Sequence, residues 1–163
     1  FSLSIQCHLE VYEYINAKLL GLYRIRHEYM GSSLYDAEDL AEYIAQNYTG
    51  RVVEVGAGHM PDVALAVRAR GLDVLLTDRE EGLAAVADDI FSPKMEIYRG
   101  ASLLYSIRPP LELQLAMGQV AARTGADVLV RPLGDEVAEL PGHTRRLVNF
   151  GQARFFLFVQ SSR

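Results

Sequence analysis

The chain has 163 residues, half of them hydrophobic, and a formal net charge of −5. This length supports one ordinary hydrophobic core, and the acidic balance argues against a broad nucleic-acid surface, which needs a cationic excess. Cys7 is the sole cysteine, so neither an intrachain disulfide nor a cysteine-based zinc site can form. No two histidines have metal-ligand spacing, and no metal site is predicted.

No stretch of the sequence is apolar over the ~20 residues that a helix needs to cross a bilayer. A secretory signal pattern is also missing from the sequence. We therefore expect a cytoplasmic protein that does not associate with a membrane.

Residues 1–33 are predicted to form a helical extension, ahead of a main domain over residues 34–163. Apolar side chains recur at helical spacing from Ile5 to Tyr23, which is typical of an amphipathic helix. Such a helix packs on its own domain or on a second copy, which would give a homodimer through residues 1–30. Met30 leaves another interpretation open, in which residues 1–29 are not native to the protein.

A helix is next predicted from about Tyr35 to Tyr48, with Ser33 or Asp36 as its N-cap. A β-branched strand over residues 51–55 follows and ends in a glycine turn.

After the turn, the pattern predicts a helix over residues 61–70 and a second apolar strand over residues 72–77, which ends at Asp78. Strand, turn, helix and strand within about thirty residues are typical of a βαβ unit with parallel strands.

The rest of the chain alternates in the same way. A short third strand is predicted over residues 83–86, and a fourth strand over residues 101–107. Pro109 and Pro110 then open a helix that Gly125 ends. A fifth strand over residues 127–130 precedes a hairpin of residues 146–150 and 154–159. The whole pattern predicts an α/β fold: a Rossmann-like, mostly parallel sheet with a C-terminal antiparallel hairpin.

The glycine turn, Glu54-Val55-Gly56-Ala57-Gly58, is the most informative motif. Glycines let the strand turn sharply and let a ligand lie against the main chain, where the following helix offers free N–H groups. A dinucleotide fingerprint needs a third glycine three residues after Gly58, but Pro61 stands there. A pyrophosphate cradle is therefore disfavoured, and the lysine of a Walker loop is absent.

S-adenosylmethionine fits the surrounding acids better, because it is a cation at sulfur with a neutral adenosine. Glu54 is placed to attract its ammonium group. Asp78 lies 20 residues after Gly58, where a carboxylate can accept both ribose hydroxyls. Asp88 and Asp89 follow the third strand, and Asp89 is favoured as acceptor for the adenine amino group. The predicted cofactor-binding residues are Glu54, Gly56, Gly58, Asp78 and Asp89.

At these residues the chain resembles class I S-adenosylmethionine-dependent methyltransferases. It is more closely similar to a small, mainly archaeal, uncharacterised protein family with that fold. The stretches that carry the likeness include VVEVGAGHMPDVA, DDIFSP, IYRGASLLYSIRPPLEL and LVNFGQARFFLF. The resemblance covers about Asp36 to Val159 and implies a minimal methyltransferase-type Rossmann fold. It implies no particular reaction, because that family has no settled activity.

The segment Ser106-Ile107-Arg108-Pro109-Pro110 departs from the methyltransferase pattern. Methyltransferases that act on amines often have Asn or Asp before the two prolines, where this chain has Arg108. An arginine facing the cofactor would position an anionic acceptor such as a carboxylate or phosphate, which makes Arg108 the candidate catalytic residue. A structural alternative is that Arg108 pairs with Glu112.

Residues after the fifth strand are secondary candidates for the acceptor side, namely Arg131, Gly134 and Glu136. The crossover helices that usually build an acceptor site look shortened here. Three functions therefore stay open: a minimal methyltransferase for a small or anionic acceptor, a non-catalytic nucleoside-cofactor-binding or scaffold protein, and an NAD-binding protein.

Overall fold

The computed structural model describes residues 34–57, 62–80 and 86–161. Its helices are α1 (Ala37–Asn47), α2 (Asp62–Ala69), α3 (Met95–Tyr98) and α4 (Leu111–Thr124). Its strands are β1 (Arg51–Val55), β2 (Asp73–Asp78), β3 (Val86–Ala87), β4 (Ala101–Ile107), β5 (Asp127–Arg131), β6 (His143–Phe150) and β7 (Ala153–Gln160). In the described ranges, no helix has the length and apolarity to span a membrane.

All the strands form one sheet, in the order β3-β2-β1-β4-β5-β7-β6. Strands β1 to β5 pair in parallel, whereas β7 runs antiparallel to β5 and to β6. The predicted α/β fold, with a mostly parallel sheet and a C-terminal antiparallel hairpin, is confirmed. The carboxyl ends of the five parallel strands therefore meet along one edge of the sheet.

Helices cover both faces of the sheet, which explains why the central strands are apolar on both sides. Helices α1 and α2 pack with alternate strand residues such as Leu103 and Tyr105. Helices α3 and α4 pack on the opposite face, with residues such as Val53 and Leu104. Successive side chains along β4 thus enter different cores, as the two-residue period of a strand requires.

Most of the predicted boundaries hold. Strand β4 spans the predicted residues, and α4 begins directly after Pro110 and ends at Gly125, whose φ of 79° is left-handed. The described part of the third strand is Val86–Ala87, which overlaps the predicted range at Val86, and residues 81–85 lie outside the described ranges. The hairpin strands are longer than predicted because their pairing continues from Phe150 back to His143.

Asp36 occupies the N-cap position of α1, as predicted, but the expected side-chain cap does not form. Its carboxylate binds the guanidinium of Arg131 instead, because a buried guanidinium needs a charged partner more than a helix end needs a cap. Ser33, the alternative cap, and the predicted extension and homodimer contact in residues 1–33 lie outside the described residues.

Candidate functional site

The candidate site lies where the strand order reverses. From β1 the chain passes to β2 and β3 on one side, and then crosses to β4 on the other. In open α/β sheets, ligands bind in the crevice beyond the strand ends at such a switch point. We call the ends of β1, β2 and β3 the acidic side, with Glu54, Asp78 and Asp89. The ends of β4 and β5 with the start of β7 are the basic side.

The glycine turn is held by both neighbouring strands. Ala57 N donates a hydrogen bond to Thr77 O (3.0 Å), and Ser106 Oγ donates one to Val55 O (2.6 Å). Gly56 has a left-handed φ of 67°, and a Cβ built there would lie 3.1 Å from Leu113 Cδ2. The backbone angle thus favours glycine, and a larger residue would also require the Leu113 side chain to shift. Gly58, with residues 59–61, lies outside the described residues.

Glu54 is a buried acid beneath this turn. Its side chain is 1% exposed, and no residue of the described ranges hydrogen-bonds to its Oε2. Burial, and secondarily the carboxylate of Asp62, raises the pKa of Glu54 well above its ordinary value of 4.5. A cationic group brought beside Glu54 would offset both effects, because it would stabilise the carboxylate.

Tyr105 adds a second unsatisfied polar group at the same place. It lies opposite Glu54 in the pairing of β1 with β4, and its buried hydroxyl also has no hydrogen-bond partner in the described ranges. Burial, followed by the charge of Glu54, raises the pKa of Tyr105. The sequence alone indicates a packing role for Tyr105 at the end of a strand. Its position opposite Glu54 follows from the register of β1 and β4, which the sequence does not reveal.

Asp78 and Asp89 lie at neighbouring strand ends. The main chain links the two ends, because Asp88 N donates to Asp78 O (2.9 Å). Asp78 Oδ1 accepts from Glu80 N (3.2 Å), and Asp89 Oδ1 accepts from Phe91 N (3.0 Å). Both aspartates are half-buried.

Asp88 has a structural role. Its Oδ1 accepts a hydrogen bond from Lys94 N (3.0 Å), and its Oδ2 accepts one from the hydroxyl of Tyr98 (2.5 Å). Both carboxylate oxygens are therefore engaged in shaping the loop between β3 and α3. This geometry supports the preference for Asp89 over Asp88, although the binding role of Asp89 stays a prediction.

On the basic side, Arg108 has an unusual backbone. Its φ is 55°, the one left-handed value at a non-glycine residue in the described ranges. Arg108 N donates to Arg131 O (2.7 Å), which closes the last pair of β4 with β5, Ile107 opposite Arg131. The alternative ion pair with Glu112 does not form among the described side chains, and Arg108 is exposed.

A cavity of about 350 Å³ opens beside Arg108, between the ends of β4 and β5, the start of β7 and the residues before α1. Arg131 lines it and is fixed by Asp36: Nε to Oδ2 is 2.8 Å and Nη2 to Oδ1 is 3.0 Å. The Arg131 guanidinium also lies 5.7 Å from the centre of the Tyr35 ring. Arg154, from the start of β7, lines the same cavity.

Sequence reasoning suggested Arg131 and Gly134, and both line this cavity, but it missed Asp36 and Arg154 as site residues. Asp36 lies 95 residues from Arg131, so no local pattern signals their contact. Arg154 reaches the site through the antiparallel pairing of β7 with β5.

Gln114 was also missed. This buried residue of α4 joins the turn after Arg108 to the loop after β5. Its Nε2 donates to Pro109 O (3.1 Å) and Glu136 O (2.9 Å), and its Oε1 accepts from Ala138 N (2.8 Å). Glu136, an acceptor-side candidate from the sequence, thus contributes its backbone to this link. Gln114 holds the wall of the cavity in place.

Residues 37–160 match the model of the Uncharacterised protein family (UPF0146). The chain belongs to this family. A UPF0146 protein from Archaeoglobus fulgidus is 43% identical over 123 residues, covering 72% of this chain and 91% of that protein. Another from Methanothermobacter thermautotrophicus is 40% identical over 130 residues, covering 77% and 96%. The resemblance to a mainly archaeal family is confirmed.

Solved structures place the UPF0146 fold among methyltransferases. A proposed caffeoyl-CoA O-methyltransferase from Staphylococcus aureus superposes with a TM-score of 0.58, at 9% identity, over 96% of this chain and 99% of that one. A proposed S-adenosyl-L-methionine-dependent methyltransferase from Methanococcus maripaludis gives 0.54, at 10% identity, over 78% and 86%. At such low identities these likenesses show a methyltransferase-type Rossmann fold and no more.

Proposed function

We propose that this UPF0146 protein binds S-adenosylmethionine on the acidic side of the crevice and passes its methyl group to an acceptor on the basic side. The observation that carries the proposal is the buried carboxyl of Glu54 beside the glycine turn, one oxygen of which has no hydrogen-bond partner among the described residues. A buried acid without a partner is costly unless a cation completes it. The ammonium group of the cofactor would be that cation.

The donor set fits a cationic ligand with a neutral adenosine. Glu54 would accept from the ammonium group, and Gly56 would let the cofactor lie against the main chain. Asp78 would accept from the ribose hydroxyls, and Asp89 from the adenine amino group. Gly58 completes this set as a proposal from the sequence.

The acidic residues around the glycine turn disfavour the NAD-binding alternative. Asp62 is the first residue of α2, and its carboxylate raises the pKa of Glu54. A carboxylate, that of Asp62, therefore lies at the helix start, in the region that a dinucleotide's pyrophosphate would occupy. Placing an anion there would add repulsion where a phosphate site needs donors and positive charge.

When bound, the cofactor would supply an electrophilic methyl carbon: the acceptor's lone pair would bond to it as the carbon–sulfur bond breaks with its electron pair going to sulfur, and any acceptor proton would pass to water. The chain's own residues would act mainly by orientation. Ser106 fixes the end of β4 to the end of β1, so the acceptor side is held against the cofactor side.

A non-catalytic binding protein is the second candidate. Helix α3 has only four residues, and in the described ranges no helix lies between β5 and β6. These are the regions that would otherwise enlarge an acceptor site, so cofactor binding without transfer is the alternative that this fold favours.

Calorimetric titration of the full chain with S-adenosylhomocysteine tests the binding step. Asp78→Asn should weaken binding by about tenfold or more, because the ribose loses a charged acceptor. Asp73→Asn is the matched control: it lies on the same strand, at the opposite end, beside Arg51. No binding to the unmodified chain, or equal losses in both variants, would contradict the proposal, and binding of NAD alone would favour the third function.

Incubation with methyl-labelled S-adenosylmethionine and an archaeal cell extract tests the transfer step. Label should move to an acceptor with the unmodified chain and be lost with Asp78→Asn. Tight cofactor binding with no label transferred to any component of the extract would favour the non-catalytic alternative.

A further inference from the structure

We propose that the cavity on the basic side is an anion-binding pocket for a small acceptor molecule that carries a carboxylate or phosphate group on an apolar body. The use of this pocket for methyl transfer rests on the proposed function. The binding of the anion itself does not, and it can be tested without the cofactor.

Three arginines, Arg108, Arg131 and Arg154, converge on this cavity from three different strand ends. Arg108 and Arg154 are exposed on its wall, whereas Arg131 is 7% exposed. An arginine offers donors in a fixed planar fork that matches carboxylate and phosphate geometry. Asp36 and Asp135 line the cavity as well, and Asp36 is already paired with Arg131, so the three guanidinium groups leave an excess of positive charge that Arg108 and Arg154 carry.

Arg131 is pre-positioned for such a role. Asp36 takes one edge of its guanidinium, through Nε and Nη2, and no side chain in the described ranges accepts from Nη1. The ring of Tyr35 lies against the same group. A guanidinium held on one edge and over one face keeps its remaining donors in a single orientation, which lowers the entropy cost of binding an anion.

The backbone of Arg108 supports a functional role. A left-handed φ is unfavourable for any residue with a Cβ, and glycine would be accepted there more readily. Strained residues of this kind cluster at functional sites, where the side chain is needed despite the strain. Arg108 also comes directly before two prolines, which fix the turn.

The size and lining of the cavity indicate a small molecule. A volume of about 350 Å³ is at the lower end of the range for small-ligand pockets. Tyr35 and Leu133 line it and are unusually exposed for apolar residues, at 71% and 68%. They offer contact area to the apolar part of a ligand. The net charge of −5 opposes a nucleic-acid strand as the source of the phosphate.

The pocket also adjoins the proposed cofactor site. Strand β4, which leads into Arg108, lies directly beside β1, which leads into the glycine turn. A small acceptor held by Arg108 would therefore lie across the switch point from Glu54 and Gly56.

The test is calorimetric titration of the full chain, without cofactor, with phenyl phosphate, benzoate, inorganic phosphate and neutral benzyl alcohol. At least one aromatic anion should bind at millimolar concentration or below, and benzyl alcohol should not. Stronger binding of phenyl phosphate or of benzoate distinguishes the phosphate from the carboxylate class. Arg108→Gly and Arg154→Gln should each weaken anion binding by about tenfold. Arg123→Gln, on the exposed face of α4, is the control and should leave affinity unchanged.

The pocket is overturned if no anion binds, if benzyl alcohol binds as well as the anions, or if Arg123→Gln weakens binding as much as the other variants. It is also overturned if the arginine variants weaken binding of a single-stranded RNA oligonucleotide but not of the small anions. Thermal unfolding of each variant confirms that it is folded, and Arg108→Gly should unfold no earlier than the unmodified chain. A further outcome is that the chain binds anions in a way that depends on Arg108 and yet fails to bind S-adenosylhomocysteine. That result would support the anion-binding pocket and contradict the proposed methyl donor.

Discussion

The two sides of the crevice differ in whether their buried ionisable group has a partner. On the acidic side, Glu54 is buried and one of its oxygens has no partner within the described ranges. On the basic side, Arg131 is buried but is matched by Asp36 through two short hydrogen bonds. On the acidic side, a ligand can supply the hydrogen-bond partner that Glu54 lacks. On the basic side, the Asp36–Arg131 ion pair forms a rigid surface that a ligand can contact. The two sides should therefore respond differently to mutation.

The largest loss of stability should come from breaking the ion pair of Asp36 with Arg131. Asp36→Ala leaves the buried Arg131 guanidinium without its counter-charge, and should lower the free energy of unfolding by about 3–5 kcal/mol. Urea unfolding measures this. Asp73→Ala, which breaks the partly exposed pair with Arg51, should cost less than about 1 kcal/mol. Similar costs for the two variants would show that Asp36 is not a structural support.

The glycine turn should be the next most sensitive point. Gly56→Ala should cost roughly 2 kcal/mol, because it places a Cβ in a left-handed conformation and against Leu113. Gly50→Ala separates these causes: Gly50 has a φ of 71°, but a Cβ added there would meet no atom within 4 Å. It should therefore show the backbone strain alone. A larger loss at Gly50 than at Gly56 would contradict the close packing of the turn.

Replacing Glu54 should change how the free energy of unfolding depends on pH. In the unfolded chain Glu54 loses its proton near 4.5, whereas the folded chain keeps it to higher pH because burial raises the pKa. Above pH 4.5 the folded state thus binds more protons, and stability should fall by about 1.4 kcal/mol per pH unit until Glu54 ionises. Glu54→Gln should abolish this decline in urea-unfolding series at several pH values.

Glu42→Gln is the matched control for that series. Hydrogen bonding to Arg70 lowers the pKa of this partly exposed glutamate, so its contribution to stability is present above pH 4.5 and is lost as pH falls. The two variants should shift the pH profile in opposite directions. A profile that Glu54→Gln leaves unchanged would show that Glu54 ionises normally.

The smallest effect should be a gain in stability. Arg108→Gly relieves a left-handed φ and should raise the free energy of unfolding by about 0.5 kcal/mol, after allowance for the greater entropy of unfolded glycine. Arg123→Gly, in the last turn of α4, should instead cost about 1 kcal/mol. Thermal unfolding compares them, and a destabilised Arg108→Gly variant would mean that the side chain supports the fold.

Local patterns predicted most of the fold. The continuous apolar run of β4, the two prolines before α4 and Gly125 after it each act over a few residues, and each boundary was correct. The glycine turn was equally visible, because a strand that turns directly into a helix requires its own residue types. For the third strand, the described pairing covers only Val86 and Ala87, and so short a pairing leaves almost no periodic signal.

The basic side was much harder to predict. Arg108 was identified through its place before two prolines, but its cavity depends on Asp36, Arg131 and Arg154, which sheet pairing and helix packing bring together. Asp36 has the right residue type and position for a cap, and only the buried Arg131 explains why it does something else. Burial of a charge is a property of the assembled fold, so no short window of sequence contains it.

The start of α1 forms hydrogen bonds with residues that come much later in the chain. Asp36 binds Arg131, 95 residues further on, and Asp39 accepts a hydrogen bond from Gln152 N across 113 residues. During synthesis on a ribosome, the carboxylate of Asp36 must therefore stay hydrated until β5 has emerged, and that of Asp39 until the final hairpin has emerged. The hydrogen bond from Gln152 N to Asp39 is therefore one of the last contacts of α1 to form, after the helix has packed against α2.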